Sequence, residues 1–345
     1  MTDTLHIQLA HGGGGQLTAE LIEQVILPAL GAAGGEQDPK GLKDAAVLPA
    51  PGAGAALALT TDSYVVQPLE FPGGDIGKLA VCGTVNDLAV TGASPLALTL
   101  ALVLEEGLEI ALLRRVLVSA GAAAKSAGVS IVTGDTKVVE RGGVDGMIVN
   151  TAGLGAIMPK AKLGFDRIAP GDRIVLSGPL GEHGLAVMSR RKGLSFSAEL
   201  QSDCAPLNPL AAALVEELGD DLKFMRDPTR SGLAAALVDI AACAGCDVEI
   251  DESALPVHRT ARAAAEMLGL DLMSIANEGK LVAVIAPSRA DEAVSVLARF
   301  EIARRAAVVG TVGQKSDNPL VEMLTAVGGR RIVQMPYGEE LPRIC

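Results

Sequence analysis

The order of apolar and polar positions divides the chain into two halves, each mixing strands with helices. In the first, the two-residue alternation of a strand runs through residues 56–60, 96–104, 129–133 and 147–157, while residues 76–89 and 111–127 carry helical patterns. Gly128 stands where a helix C-cap belongs, since glycine adopts the left-handed backbone at little cost. Residues 17–27 predict an amphipathic helix behind the run His11-Gly12-Gly13-Gly14-Gly15. Over residues 159–171 the periodicity breaks into Lys, Pro and Gly, and residues 172–177 open a new strand. The second half predicts helices at 231–244, 260–268 and 290–300, and strands at 248–250, 280–286 and 307–312. The expectation is an α/β (α+β) protein with domains at 1–158 and 159–335, followed by a flexible tail, 336–345, that carries Cys345.

Composition agrees with two well-buried cores. The chain has 345 residues, 49% of them apolar and 20% charged, with no Trp, so Ala, Val and Leu supply the volume. Its formal net charge of −12 repels nucleic acid and anionic membrane surfaces, so neither is an expected partner. The apolar run 95–104 is far short of the ~20 residues of a spanning helix. The N-terminal residues lack a basic region followed by an apolar one, and five scattered cysteines suit a reducing compartment, so the expected location is cytoplasmic. If such an acidic protein holds a nucleotide, divalent metal must bridge carboxylates and phosphates.

Candidate chemistry begins with four aspartates, each at the edge of an apolar run: Asp44, Asp62, Asp87 and Asp135. Placed at strand ends, they converge on Mg²⁺ and phosphate; taken singly, each also reads as an N-cap or turn residue. The glycine run either cradles phosphate, with His11 beside it, or is a linker. Lys137 follows Asp135 by two, which on an extended segment puts both on one face. The segment Asp227-Pro228-Thr229-Arg230-Ser231-Gly232 precedes an Ala-rich helix, as an anion site or a capping segment. Glu278, in Asn277-Glu278-Gly279-Lys280, is a turn carboxylate or a site residue. Cys345 ends a Pro- and Gly-containing arm spanning at most ~35 Å, a reach suited to a tethered substrate, with a frayed terminus as the plain alternative. Its thiolate needs help from a cation, for which Arg343 is the local candidate. Cys243 and Cys246 supply only half of a zinc site and read as structural.

Taken in order, His-Gly-Gly-Gly-Gly, Asp-Ala-Ala-Val, Thr-Thr-Asp-Ser, Gly-Thr-Val-Asn-Asp-Leu-Ala-Val-Thr-Gly-Ala, Thr-Gly-Asp-Thr-Lys-Val-Val-Glu and Asp-Pro-Thr-Arg-Ser-Gly-Leu resemble an ATP-binding superfamily. It contains aminoimidazole ribonucleotide synthetase, selenophosphate synthetase, thiamine monophosphate kinase and the HypE carbamoyl dehydratases of hydrogenase maturation. The terminal Pro342-Arg343-Ile344-Cys345 makes the last of these the strongest resemblance. The resemblance implies a two-domain aminoimidazole ribonucleotide synthetase-like fold whose N-terminal sheet pairs across a homodimer. It implies ATP and Mg²⁺ held by Gly12, Gly13, Gly14, Asp44, Asp62, Asn86, Asp87, Asp135, Asp227 and Thr229, the metal falling to Asp44, Asp62, Asp87 and Asp135. It implies that a carbamoyltransferase loads Cys345, that Lys137, Glu140 and Glu278 surround the reacting amide, and that dehydration to a thiocyanate supplies the cyanide ligand of a [NiFe]-hydrogenase through an iron-carrying scaffold complex. Two rivals remain. A selenophosphate or purine-type synthetase acts on a free small molecule, but selenophosphate synthetases carry a reactive residue near the N-terminus, and here no cysteine precedes Cys82. A non-catalytic carrier would lack ATP turnover.

Overall fold

The computed structural model describes residues 6–12, 16–31, 51–52, 54, 56–194, 200–335, 341 and 343–345. Helices α1 (Gln16–Leu21) and α2 (Leu27–Leu30) are joined by a π-turn over Ile22–Ile26. The first sheet has the order β1 (Leu57–Tyr64), β6 (Met147–Ile157), β4 (Ala93–Glu105), β5 (Ser130–Val139), so β1 and β5 are its edges. A ribbon of β2 (Glu70–Phe71) and β3 (Gly74–Asp75) leads into α3 (Ile76–Val90), which, with α4 (Ile110–Ala127), covers one face of the sheet. Asp75 caps α3, accepting from the backbone N–H groups of Gly77 at 2.8 Å and Lys78 at 2.9 Å. Gly128 ends α4 at φ 68, as its sequence position required.

Strand β5 runs six residues beyond its expected end at 133, because Asp135 and Lys137 keep the alternation and point outward. Among the described residues the opposite face of this sheet is exposed: Leu59 on β1 is 78% exposed. That is the face carrying Asp135 and Lys137, since the register runs Ser63, Asn150, Ala101, Asp135 across the four strands.

The second sheet has the order β13 (Arg330–Val333), β12 (Val321–Leu324), β9 (Cys246–Asp251), β11 (Ala307–Lys315), β7 (Arg173–Leu176), β10 (Val282–Ile285), β8 (Leu222–Arg226). Its helices are α5 (Glu182–Lys192), α6 (Asn208–Leu218), α7 (Gly232–Ala244), α8 (Arg259–Leu268) and α9 (Ala290–Leu297). The four buried strand residues Val282, Ala283, Val284 and Ile285 put β10 inside the sheet with helices on both faces. Helix α3 is buried nearly all round because it is packed between the first sheet and α6 and β8. Among the described residues no helix is long and apolar enough to cross a membrane.

Candidate active site

A cavity of about 1060 Å³ opens where β1, the end of α3, β8 and the start of α7 meet. Asp62, Asp87, Asp227, Thr229, Arg230 and Glu278 line its polar side. The apolar side includes Phe165 and Phe224, whose ring centroids lie 4.3 Å apart. The aspartates do not sit at strand ends as expected: Asp62 lies within β1 and Asp87 in the last turn of α3. They meet because the Asp62 face of β1 is the face α3 covers.

Thr60 Oγ1 donates to Asp87 at 2.8 Å, and Tyr64 donates to Asp62 at 3.2 Å. A Cβ at position 83 would lie 2.1 Å from the Tyr64 hydroxyl, so glycine there makes room for that contact. Burial pushes Asp87 up to about 6, opposed by the Thr60 hydrogen bond and reinforced by repulsion from Asp62. Burial and then Asp87 push Asp227 up to about 7. Burial, Asp227 and Asp203 hold Glu278 well above the usual carboxylate range, and its buried Oε1 has no hydrogen-bond partner among the described residues. No three acidic, His or Cys side chains among the described residues stand in metal-ligating geometry. The donor chemistry nevertheless fits a divalent cation, because three carboxylates line one cavity, with Asp62 repelling Asp87 and both of them repelling Asp227.

The turn bearing Glu278 is clamped from two sides. Asp203 accepts from the N–H of Glu278 at 3.2 Å, that of Gly279 at 3.1 Å and Lys280 Nζ at 3.1 Å, and Lys280 also reaches Glu182 at 3.1 Å. A Cβ at Gly279 would stand 1.8 Å from the Asp203 carbonyl oxygen, so this turn tolerates no side chain there. From the other side, Asn86 Nδ2 donates to the carbonyls of Ala205 at 3.1 Å and Glu278 at 3.2 Å, while its Oδ1 accepts from Leu207 N at 2.7 Å. Asn86, expected beside the nucleotide, is buried here with its amide bonded to backbone groups as a clamp on this turn. Ser231, the N-cap of α7, sits at φ 60 and makes no side-chain cap bond, so the capping alternative for this segment is not realised.

The end of the chain is docked, where the sequence suggested a flexible arm. Ile344 is 3% exposed, and Arg343, Ile344 and Cys345 line the same cavity as Glu278. Residues 343–345 lie antiparallel to residues 65–67: Val65 N donates to the Cys345 carbonyl at 3.3 Å and Gln67 N to that of Arg343 at 3.2 Å. The Arg343 guanidinium is engaged by Asp145 and by the Val65 carbonyl.

Other expected residues that the structure describes stand apart from this cavity. Asp135 and Lys137 pair with each other at 2.8 Å on the outward face of β5, three strands from β1 and on the opposite face from Asp62. Glu140 is exposed just beyond that strand. Gly12 ends a short turn, Leu9–Gly12, packed against β5. Gly13, Gly14 and Asp44 lie outside the described residues. Cys243 is exposed and Cys246 buried, without further ligands. Sequence reasoning missed Tyr64, His183, Asp203 and Lys280; none has informative spacing, although a glycine after Glu278 was a signal of close backbone approach.

Family models for AIR synthase related proteins match the chain, the N-terminal domain over residues 42–157 and the C-terminal domain over 169–321. The carbamoyl dehydratase HypE of Rhodobacter capsulatus is 48% identical over 339 residues, covering 98% of each chain. A solved hydrogenase maturation protein HypE in complex with ATP is 44% identical, with a TM-score of 0.91 over 98% of this chain and 99% of that one. The HypE of a solved HypE–HypF complex is 43% identical, with a TM-score of 0.79 over 92% of this chain and 99% of that one. Identity at this level over almost the full length, with the same two-sheet fold, makes the chain a member of the HypE carbamoyl dehydratase family.

Proposed function

We propose that the chain uses ATP to dehydrate a carbamoyl group carried on Cys345, turning a protein-bound thiocarboxamide into a thiocyanate that supplies hydrogenase cyanide. The observation that carries this reading is that Cys345 shares one cavity with the carboxylate cluster and with Glu278, whose buried Oε1 has no hydrogen-bond partner among the described residues. The amide oxygen is a poor leaving group. Transfer of the γ-phosphoryl group of ATP to that oxygen makes it one. Removal of the N–H protons then expels phosphate and leaves S–C≡N, so thiocarboxamide and ATP become thiocyanate, ADP and phosphate with one net proton released. Glu278 is the base in this reading: it lines the cavity with Cys345, and its buried Oε1 has no hydrogen-bond partner among the described residues. Asp62, Asp87 and Asp227 hold Mg²⁺, which when bound offsets the phosphate charge. Thr229 and Arg230, at the start of α7, face the phosphates.

The protein works as a homodimer. Gly12, Asp135, Lys137 and Glu140 gather at the β5 edge, whereas the cavity lies at the β1 edge, and the exposed outer face with Leu59 lies between them. A second copy on that face brings the β5 group of one protomer to the cavity of the other, and Asp135 then completes the metal site. A HypF protein is the carbamoyltransferase partner, the iron-carrying scaffold the acceptor, and the cytoplasm the location.

Intact mass spectrometry tests the reading. Incubated with carbamoyl phosphate, the transferase and ATP, the chain gains a carbamoyl group and then loses one water. Cys345→Ser still binds Mg-ATP but gains nothing, and Glu278→Gln accumulates the loaded form. Modification at another cysteine, or loss of water without ATP, refutes it.

A further inference from the structure

We propose that His183, fully buried on α5, is the positioning residue that fixes Cys345 beside Glu278, by holding the one carbonyl of the docked tail that the strand-like pairing leaves unmatched. Although Arg343 sits at φ 54, residues 65–67 serve the carbonyls of Arg343 and Cys345, and the first is also held by Arg191 Nη2 at 2.7 Å. The carbonyl of Ile344 points the other way into the protein, where His183 Nε2 meets it at 2.9 Å. A carbonyl only accepts, so Nε2 carries the proton and Nδ1 accepts from the Ser202 hydroxyl at 2.8 Å. Cys204 N in turn donates to that hydroxyl at 3.1 Å, which helps hold it in place. The ring is held edge-on to Phe71, with centroids 5.3 Å apart.

The support of His183 is also the support of the base. Ser202 orients the imidazole, and the next residue, Asp203, carries the turn of Glu278. The two reacting partners, the group on Cys345 and the carboxylate of Glu278, are thus referenced to one dipeptide, itself pinned by Ser202 N donating to the Pro72 carbonyl at 2.8 Å. A shift of either partner relative to the other then requires breaking a buried hydrogen bond, which is how a tail in cis gains a defined reaction geometry. The inference rests on Cys345 being the loaded residue, as proposed above.

Two variants separate positioning from folding. His183→Phe keeps the ring and its packing on Phe71 but leaves the Ile344 carbonyl without a donor; His183→Gln retains an N–H near Nε2. Docking is read by the rate of iodoacetamide alkylation at Cys345, with exposed Cys243 as internal reference. In His183→Phe that rate rises roughly ten- to a hundredfold, the range expected for loss of a buried hydrogen bond. Mg-ATP affinity stays as in the wild type, and dehydration of the carbamoyl-loaded chain slows by a similar factor. His183→Gln recovers most of both. Should His183→Phe not fold, Ser202→Ala, which frees the imidazole to turn, raises alkylation several-fold. Unchanged alkylation in His183→Phe, or in Ser202→Ala where that variant stands in, overturns the inference, as does a Gln variant no better than Phe. Because alkylation reads docking with no reaction, a wild-type chain that docks its tail but never dehydrates it would instead refute the proposed function.

Discussion

If Lys137 serves the cavity of the neighbouring protomer, two inactive variants should restore one another. Lys137 lies in register with Val103, Ile148 and, one step past the paired end of β1, Val65, whose N–H holds the Cys345 carbonyl. Four steps of about 4.8 Å place its Cα ~19 Å along the sheet from Cys345. A four-carbon stem reaches roughly 6 Å, so in cis the ammonium falls far short. Lys137→Ala keeps Cys345 but lacks the ammonium, and Cys345→Ser keeps the ammonium but has no acceptor. Expressed together in equal amounts, they form about half mixed dimers, each with one complete site out of two, so about a quarter of wild-type sites return. Intact mass resolves the two chains. After loading and addition of ATP, about half of the Lys137→Ala chains should lose one water, and Lys137→Ala alone should lose almost none. Mixed dimers that form without any dehydration, or Lys137→Ala homodimers that dehydrate at the wild-type rate, would show that Lys137 does not act across the interface.

The raised carboxylates give a pH dependence of definite sign. Folded-state values of about 6 for Asp87 and about 7 for Asp227 exceed the ordinary ~4, so their contribution to stability is full below pH 4 and is lost as pH rises through 6 and 7. Metal-free protein should therefore melt several degrees lower at pH 8 than at pH 5.5, Mg²⁺ should recover much of the difference at pH 8, and Asp87→Asn should flatten the slope; a Tm independent of pH and metal would contradict the cluster. Asn86→Ala, which removes three buried hydrogen bonds, should lose about 2–4 kcal/mol in urea unfolding at the ATP affinity of the wild type, whereas weakened ATP binding in a stably folded variant would restore Asn86 as a ligand.

By itself the sequence determined part of the local structure and the chemical inventory, though α5, α6, β8, β12 and β13 went unread. Residues 76–89 and 147–157 read as helix and strand because periodicity and the sites of Gly and Pro are properties of neighbours, and β6 has the limits its alternation implied. The motifs likewise named a family, and the chain's 48% identity to a HypE relative bears it out. Only the tertiary structure decided which of these meet. Two-residue alternation cannot say which face a helix will cover, so Asp62 and Asp135 looked equivalent in sequence and proved to lie on opposite faces, three strands apart. Asn86 sits beside Asp87 in an apparent site motif, yet one helical step turns it from the cavity to the Glu278 backbone. Nothing near His183, Ser202 or Asp203 marks them, because their partners lie as far as 161 residues along the chain. Their roles come from long-range closure, in which buried polar atoms must find partners wherever the fold delivers them.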